Sequence, residues 1–97
     1  MRPCPSIVGG ARVVCYTPID ARHVKTEKTV HLDAGQQIED PKGLAICQYD
    51  GDDAYYLFGC NEEWESQSDT WHETLDDAKC QAEFEYAGTS LTWLPAQ

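Results

Sequence analysis

A chain of 97 residues, 41% hydrophobic and 10% aromatic, has enough apolar side chains for one folded domain and too few residues for two, so a disordered chain is excluded. Its formal net charge of −10 is uneven: residues 1–32 hold five basic against two acidic side chains, and from Asp33 onward fifteen acidic residues face only Lys42 and Lys79. That balance repels a phosphate backbone, so no direct nucleic-acid binding is expected.

No stretch approaches the ~18 apolar residues of a membrane span, and no membrane partner is expected. The start, with Pro3 and Pro5, lacks the sustained apolar run of a secretory signal. The expected setting is the cytoplasm, with reduced thiols. The five cysteines (Cys4, Cys15, Cys47, Cys60 and Cys80) are odd in number and widely spaced, unlike a disulfide framework. Most should be small buried hydrophobes, with Cys4 in its Pro-flanked segment the most exposed.

Residues 1–11 read as an irregular lead-in to a single domain over 1–97, broken by Pro3, Pro5 and Gly9-Gly10. Arg12 to Thr17 is β-rich and stopped by Pro18. Arg22 to Asp33 alternates, with Val24, Thr26, Lys28, Val30 and Leu32 on one face, which predicts a half-exposed strand bent near Lys28. Residues 34–43 read as loop. Gly43 to Tyr49 and Ala54 to Cys60 flank Asp50-Gly51-Asp52-Asp53, and Asp-Gly between hydrophobic runs is a strong hairpin signal. Tyr55-Tyr56-Leu57-Phe58 is apolar on both faces and predicts a central strand. A turn at Asn61-Glu62-Glu63 then leads to a third strand, Trp64 to Trp71.

The helix signal is the clearest. Thr74 with Asp77 three residues on resembles a capping box, and Asp76 and Asp77 suit the positive end of the helix dipole. Leu75, Ala78, Ala82 and Tyr86 form one stripe, and Gly88 is a natural stop, which places the helix at about 75–87. Cys80 and Phe84 fall on the opposite face, where a second layer is expected to cover them; otherwise Phe84 is open to a partner. Ser90 to Leu94 predicts a last strand ending at Pro95. The expected fold is α+β: an antiparallel meander of four to five strands with one C-terminal helix packed on it.

No Cys or His pair has the spacing by which one turn of chain presents two metal ligands, and the acidic hairpin turn lacks the alternating oxygens of a calcium loop. The double glycine precedes a strand, and the helix opens on two Asp, so no phosphate cradle is expected. No cofactor is expected. The residues that could carry nucleophilic or metal chemistry are His72 with Cys60 and Asp69, against which the plainer reading is a strand end that satisfies its own turn.

What remains is the acidic surface: Asp50, Asp52 and Asp53 at one hairpin tip, and Glu62, Glu63 and Glu65 at the next turn. Alternate turns of a meander lie at opposite ends, so these form two patches. Each could meet a basic partner protein, with Phe84 as an apolar contact. A non-enzymatic interaction protein, in concrete form a small inhibitor of the immunity or counter-defence type, is the leading expectation. A small enzyme or metal-binding domain and a housekeeping homodimer are its rivals.

The run from Tyr55 to Trp93 (Gly-Cys-Asn-Glu-Glu-Trp, then Asp-Thr-Trp-His, then Leu-Asp-Asp-Ala-Lys-Cys-Gln-Ala-Glu-Phe-Glu-Tyr) resembles small uncharacterised bacterial proteins. The resemblance covers the C-terminal part only. It implies a bacterial cytosolic protein and brings no active site with it.

Overall fold

The hairpin around Asp50-Gly51 frames everything else. In the computed structural model, which describes residues 2–26, 32–33, 36–37 and 40–96, it pairs β6 (Gly43–Gln48) with β7 (Tyr55–Cys60) in antiparallel register, Ile46 opposite Leu57. Gly51 takes the φ of +79° that the turn requires. β8 (Ser66–His72) pairs with β7 on its other side, Tyr55 opposite His72 and Cys60 opposite Ser66. On the far side of β6 lies β2 (Ala11–Pro18), and β1 (Ile7–Val8) folds back on it. The path is therefore β1-β2-β6-β7-β8, with β10 (Leu94–Pro95) also pairing with β2. Every pairing is antiparallel, and β7 is central as its two-faced apolar sequence predicts.

Both faces of the central strands β6 and β7 are largely buried. Ile46, Leu57 and Cys15 face α1 (Leu75–Glu85), whose inner stripe of Ala78 and Ala82, continued by Tyr86, packs on them. The Thr74 hydroxyl accepts from the Asp77 amide at 3.0 Å and starts the helix as its capping residue should. Ala45, Cys47, Phe58 and Cys60 face the other way, toward the N-terminal segment and Trp64. The curl of the sheet brings residues 2–10 across this second face. Gly9 lies so close to the Phe58 ring that a Cβ there would sit 2.9 Å from it.

Trp64 locks this cover in place. Its indole N–H donates to the Arg2 carbonyl at 2.7 Å, its ring meets Tyr16 edge-on at 5.6 Å, and it is 3% exposed. Its backbone adopts φ +63°, a conformation a bulky residue takes only when its surroundings over-determine it.

Several expectations are corrected. The lead-in is not wholly irregular: Gly9 and Gly10, at φ +60° and +80°, form a two-residue turn that joins β1 to β2. Cys4 is buried under the curl, and Cys80 is the exposed thiol. One strand does not run from Arg22 to Asp33. β3 (Val24–Lys25) pairs with β9 (Tyr86–Ala87), and β4 (Leu32–Asp33) pairs with β5 (Gln36–Gln37), while residues 27–31 lie outside those described. The predicted facing is also reversed at its start. Val24 is 65% exposed, whereas the His23 side chain is fully buried. His23 wins burial because its ring is satisfied on both sides, Nδ1 accepting from the Asp20 amide at 3.1 Å and Nε2 bonding the Thr92 hydroxyl at 2.9 Å. The helix stops at Glu85, and Thr89–Leu91 forms a 3₁₀ turn where the last strand was expected to begin.

If Trp64 holds the N-terminal cover, Trp64→Ala should lower stability by about 3–5 kcal/mol in urea denaturation. Trp64→Phe, which keeps the ring and loses the bond to Arg2, should lose less. A loss below about 1 kcal/mol for the alanine variant would remove that role.

Candidate functional site

β8 is the last strand of the sheet, and only Glu73 and Thr74 separate it from α1. So short a connection makes the helix double back over the sheet beside the strand that precedes it. Its apolar stripe is consumed by the core, which leaves a flank of Asp77, Cys80, Gln81 and Phe84 standing beside β8. Together with Trp71, His72 and Glu73 this flank lines an open groove of about 500 Å³. Cys80 is exposed and Phe84 is 45% exposed, so, contrary to expectation, neither is buried beneath a second layer. Trp71 is 60% exposed, an unusual position for so large an apolar side chain.

The groove is polarised. Glu73 and Asp77 supply two carboxylates, and among the described residues no Lys or Arg lines it. His72 bonds the Thr70 hydroxyl at 2.7 Å through Nε2. Partial burial holds its pKa below the usual histidine value, against the opposing pull of Asp77 and Glu85. The ring is therefore neutral near pH 7 and does not offset the carboxylates.

The six acidic residues singled out from the sequence separate as the meander geometry requires. Asp50, Asp52 and Asp53 sit at the β6–β7 tip, at the same end of the sheet as the groove, because Tyr55 lies opposite His72. Asp52 is partly committed to the turn, accepting from the Ala54 amide at 2.8 Å. Glu62, Glu63 and Glu65 lie at the opposite end, in a concavity of about 260 Å³ shared with Asp40 and Lys42. Here Asn61 organises the turn: its side-chain carbonyl accepts from the amides of Glu63 and Glu65, and its amide donates to the Glu65 carboxylate, each at 2.9 Å. Asp40 bonds Lys25 at 2.7 Å. Phe84 thus joins Trp71 and His72, and it does not join the Glu62 patch.

The trio of His72, Cys60 and Asp69 is not assembled. Cys60 lies opposite Ser66 and His72 opposite Tyr55, at the two ends of one hairpin. Asp69, opposite Phe58, alternates to the other face of β8 from His72. Burial also pushes the Cys60 thiol up to about 12, so it stays protonated. Among the described residues, no three His, Cys, Asp or Glu side chains converge to hold a metal ion, and no helix is long and apolar enough to cross a membrane.

The sequence analysis missed Trp71, Glu73, Asp77 and Gln81 as site residues. One signal for them was present: a polar strand (Ser66-Gln67-Ser68-Asp69-Thr70) that ends in Trp has no apolar face to bury its ring with.

The chain matches no protein-family model, no curated protein and no solved structure.

Two measurements check this description. A thiol reagent should modify Cys80 alone in the native protein, and all five cysteines after denaturation. Rapid native modification of a second cysteine would contradict the burial described. In an NMR titration His72 should ionise below the ordinary value of 6.5, and Asp77→Asn should lower its midpoint further. Because the fold favours the neutral ring, the unfolded chain binds protons first as pH falls through 6.5, and the contribution of His72 to stability declines there.

Proposed function

We propose that this chain is a non-enzymatic, acidic protein-interaction domain that binds a basic partner protein. A small inhibitor of the immunity or counter-defence type, covering a basic nucleic-acid-binding surface of its target, is the concrete form of the proposal. The observation that carries it is one groove lined by two exposed aromatic residues, Trp71 and Phe84, and two carboxylates, Glu73 and Asp77, with no Lys or Arg among the described residues that line it.

Each component has a distinct task. Trp and Phe rings supply most of the binding free energy at such surfaces, because a few desolvated anchors dominate affinity. An indole face flanked by carboxylates also favours a guanidinium or ammonium group. The surrounding charge, with Asp50, Asp52 and Asp53 at the same end of the sheet, raises the association rate for a basic protein and repels acidic ones. The Glu62, Glu63 and Glu65 patch at the far end contributes to this long-range field and not to the contact.

Capture of proteins from a bacterial lysate at about 0.1 M and about 0.5 M salt, where screening lengths differ about twofold, tests the reading. Wild-type protein should retain a basic protein at the lower salt and less of it at the higher. Trp71→Ala and Phe84→Ala should each weaken that capture by about tenfold or more, the effect of losing an anchor of at least ~1.4 kcal/mol. A variant with Glu62, Glu63 and Glu65 all changed to Gln should bind more slowly with a similar off-rate. Equal capture by wild type and both aromatic variants would overturn the assignment of the groove.

A further inference from the structure

We infer that the face of β8 turned away from α1 carries a second site, a concavity that binds a guanidinium group presented as an arginine side chain. This site stands apart from the groove beside α1, and neither reading needs the other.

The strand register places it. Tyr56 lies opposite Trp71 and Phe58 opposite Asp69, so Asp69 shares the face of Tyr56 and Phe58, while Thr70 pairs with Leu57 on the α1 side. On the face away from α1 the N-terminal cover reaches only part of the sheet. Its turn at Gly9 abuts the Phe58 ring. Beside it a concavity of about 310 Å³ is bounded by Gly9, Tyr49 and Phe58 together with residues 66–69 of β8.

Aromatic rings build one wall. Tyr49 meets Tyr56 edge-on at 5.2 Å, and Tyr56 stacks with Phe58 at 6.3 Å. Phe58 is buried, but Tyr49 is 37% exposed, and its hydroxyl donates to the Gly9 carbonyl at 2.9 Å. A ring tethered at its far end has little freedom left to lose when a ligand stacks on it.

Acceptor oxygens build the other wall. Asp69 supplies a carboxylate, and Ser66 and Gln67 add a hydroxyl and an amide carbonyl. Among the described residues no Lys, Arg or His lines the concavity, and no cation pairs with Asp69. A guanidinium is planar and carries five N–H donors, so it can lie on an aromatic ring while its edge meets a carboxylate. An ammonium has no plane to stack. An anion is repelled by a net charge of −10, and a neutral polyol leaves Asp69 without a counter-charge.

The probe is N-acetyl-arginine amide, titrated at constant ionic strength into isotope-labelled protein and followed by NMR. Shifts should saturate with a Kd of about 1–10 mM and centre on residues 66–69, Gly9 and the Tyr49 ring. N-acetyl-citrulline amide keeps the planar end group without its charge and should bind about tenfold or more weakly. Asp69→Asn should cost a similar factor, and Tyr49→Leu about threefold or more. Tyr49→Phe, which keeps the ring, should bind as the wild type does. Equal affinity for the arginine and citrulline probes overturns recognition of the cation. Shifts that never saturate, spread over every acidic patch and persist in Asp69→Asn overturn the site in favour of general attraction by the acidic surface. Tighter binding of free arginine than of the capped probe overturns side-chain presentation in favour of an amino-acid ligand. Phe84→Ala, which alters the groove alone, should leave this titration unchanged, and a parallel loss there overturns the separation of the two sites.

Discussion

The rest of this structure depends on one constraint: β6 and β7 are apolar on both faces, and a sheet like that needs two covers. Ala45, Ile46 and Cys47 are three consecutive residues with no exposed surface, which alternation across a strand permits only when both sides are dry. A chain of this length has one helix to offer, and α1 takes one face. The other face is covered by the chain's own first residues, drawn over the curl and held by Trp64. The left-handed backbone of Trp64 and the tight approach of Gly9 to Phe58 are consequences of making so short a segment serve as a layer.

The same economy explains the groove. A helix that follows β8 after two residues must lie alongside it, and one whose apolar stripe is narrow leaves its far flank partly exposed. Small residues dominate the inner stripe, with Ala78 and Ala82 allowing close approach to the sheet, while the larger Phe84 and the polar Gln81 are turned outward. The edge position of β8 among the described strands, the exposed Trp71 near its end and the acidic helix start are therefore products of one local turn and not independent features.

Elements whose determinants are local were legible in the sequence. The Asp-Gly hairpin, the central character of β7, and the Thr74 cap with its stripe all depend on neighbours within a few residues. What could not be read depended on distant partners. His23 is buried because Thr92 reaches it from the other end of the chain, and no periodicity around residue 23 encodes that. Cys4 is hidden by a curl whose lock is sixty residues away. The groove was half visible: Phe84 stood out on the helical wheel, but its association with Trp71 required knowing that α1 doubles back beside β8. The Gly9-Gly10 turn was encoded locally and could have been recognised as a hairpin between β-forming residues.

The bond from Trp64 to Arg2 also has a kinetic meaning. Pairings within residues 43–86 join segments close in sequence and close small loops, whereas the N-terminal cover is locked by Trp64 and β2 is paired by β10, both from far along the chain. Loop-closure entropy makes the local set quicker to form. The meander and its helix can therefore be organised while the face bearing Phe58 and Cys60 is still wet, and closure of that face comes last. A chain arranged this way carries its slowest contacts at its two ends, where a nascent or partly unfolded molecule exposes apolar sheet. Its high negative charge, which keeps such molecules apart, protects the protein through that interval as well as in its folded state.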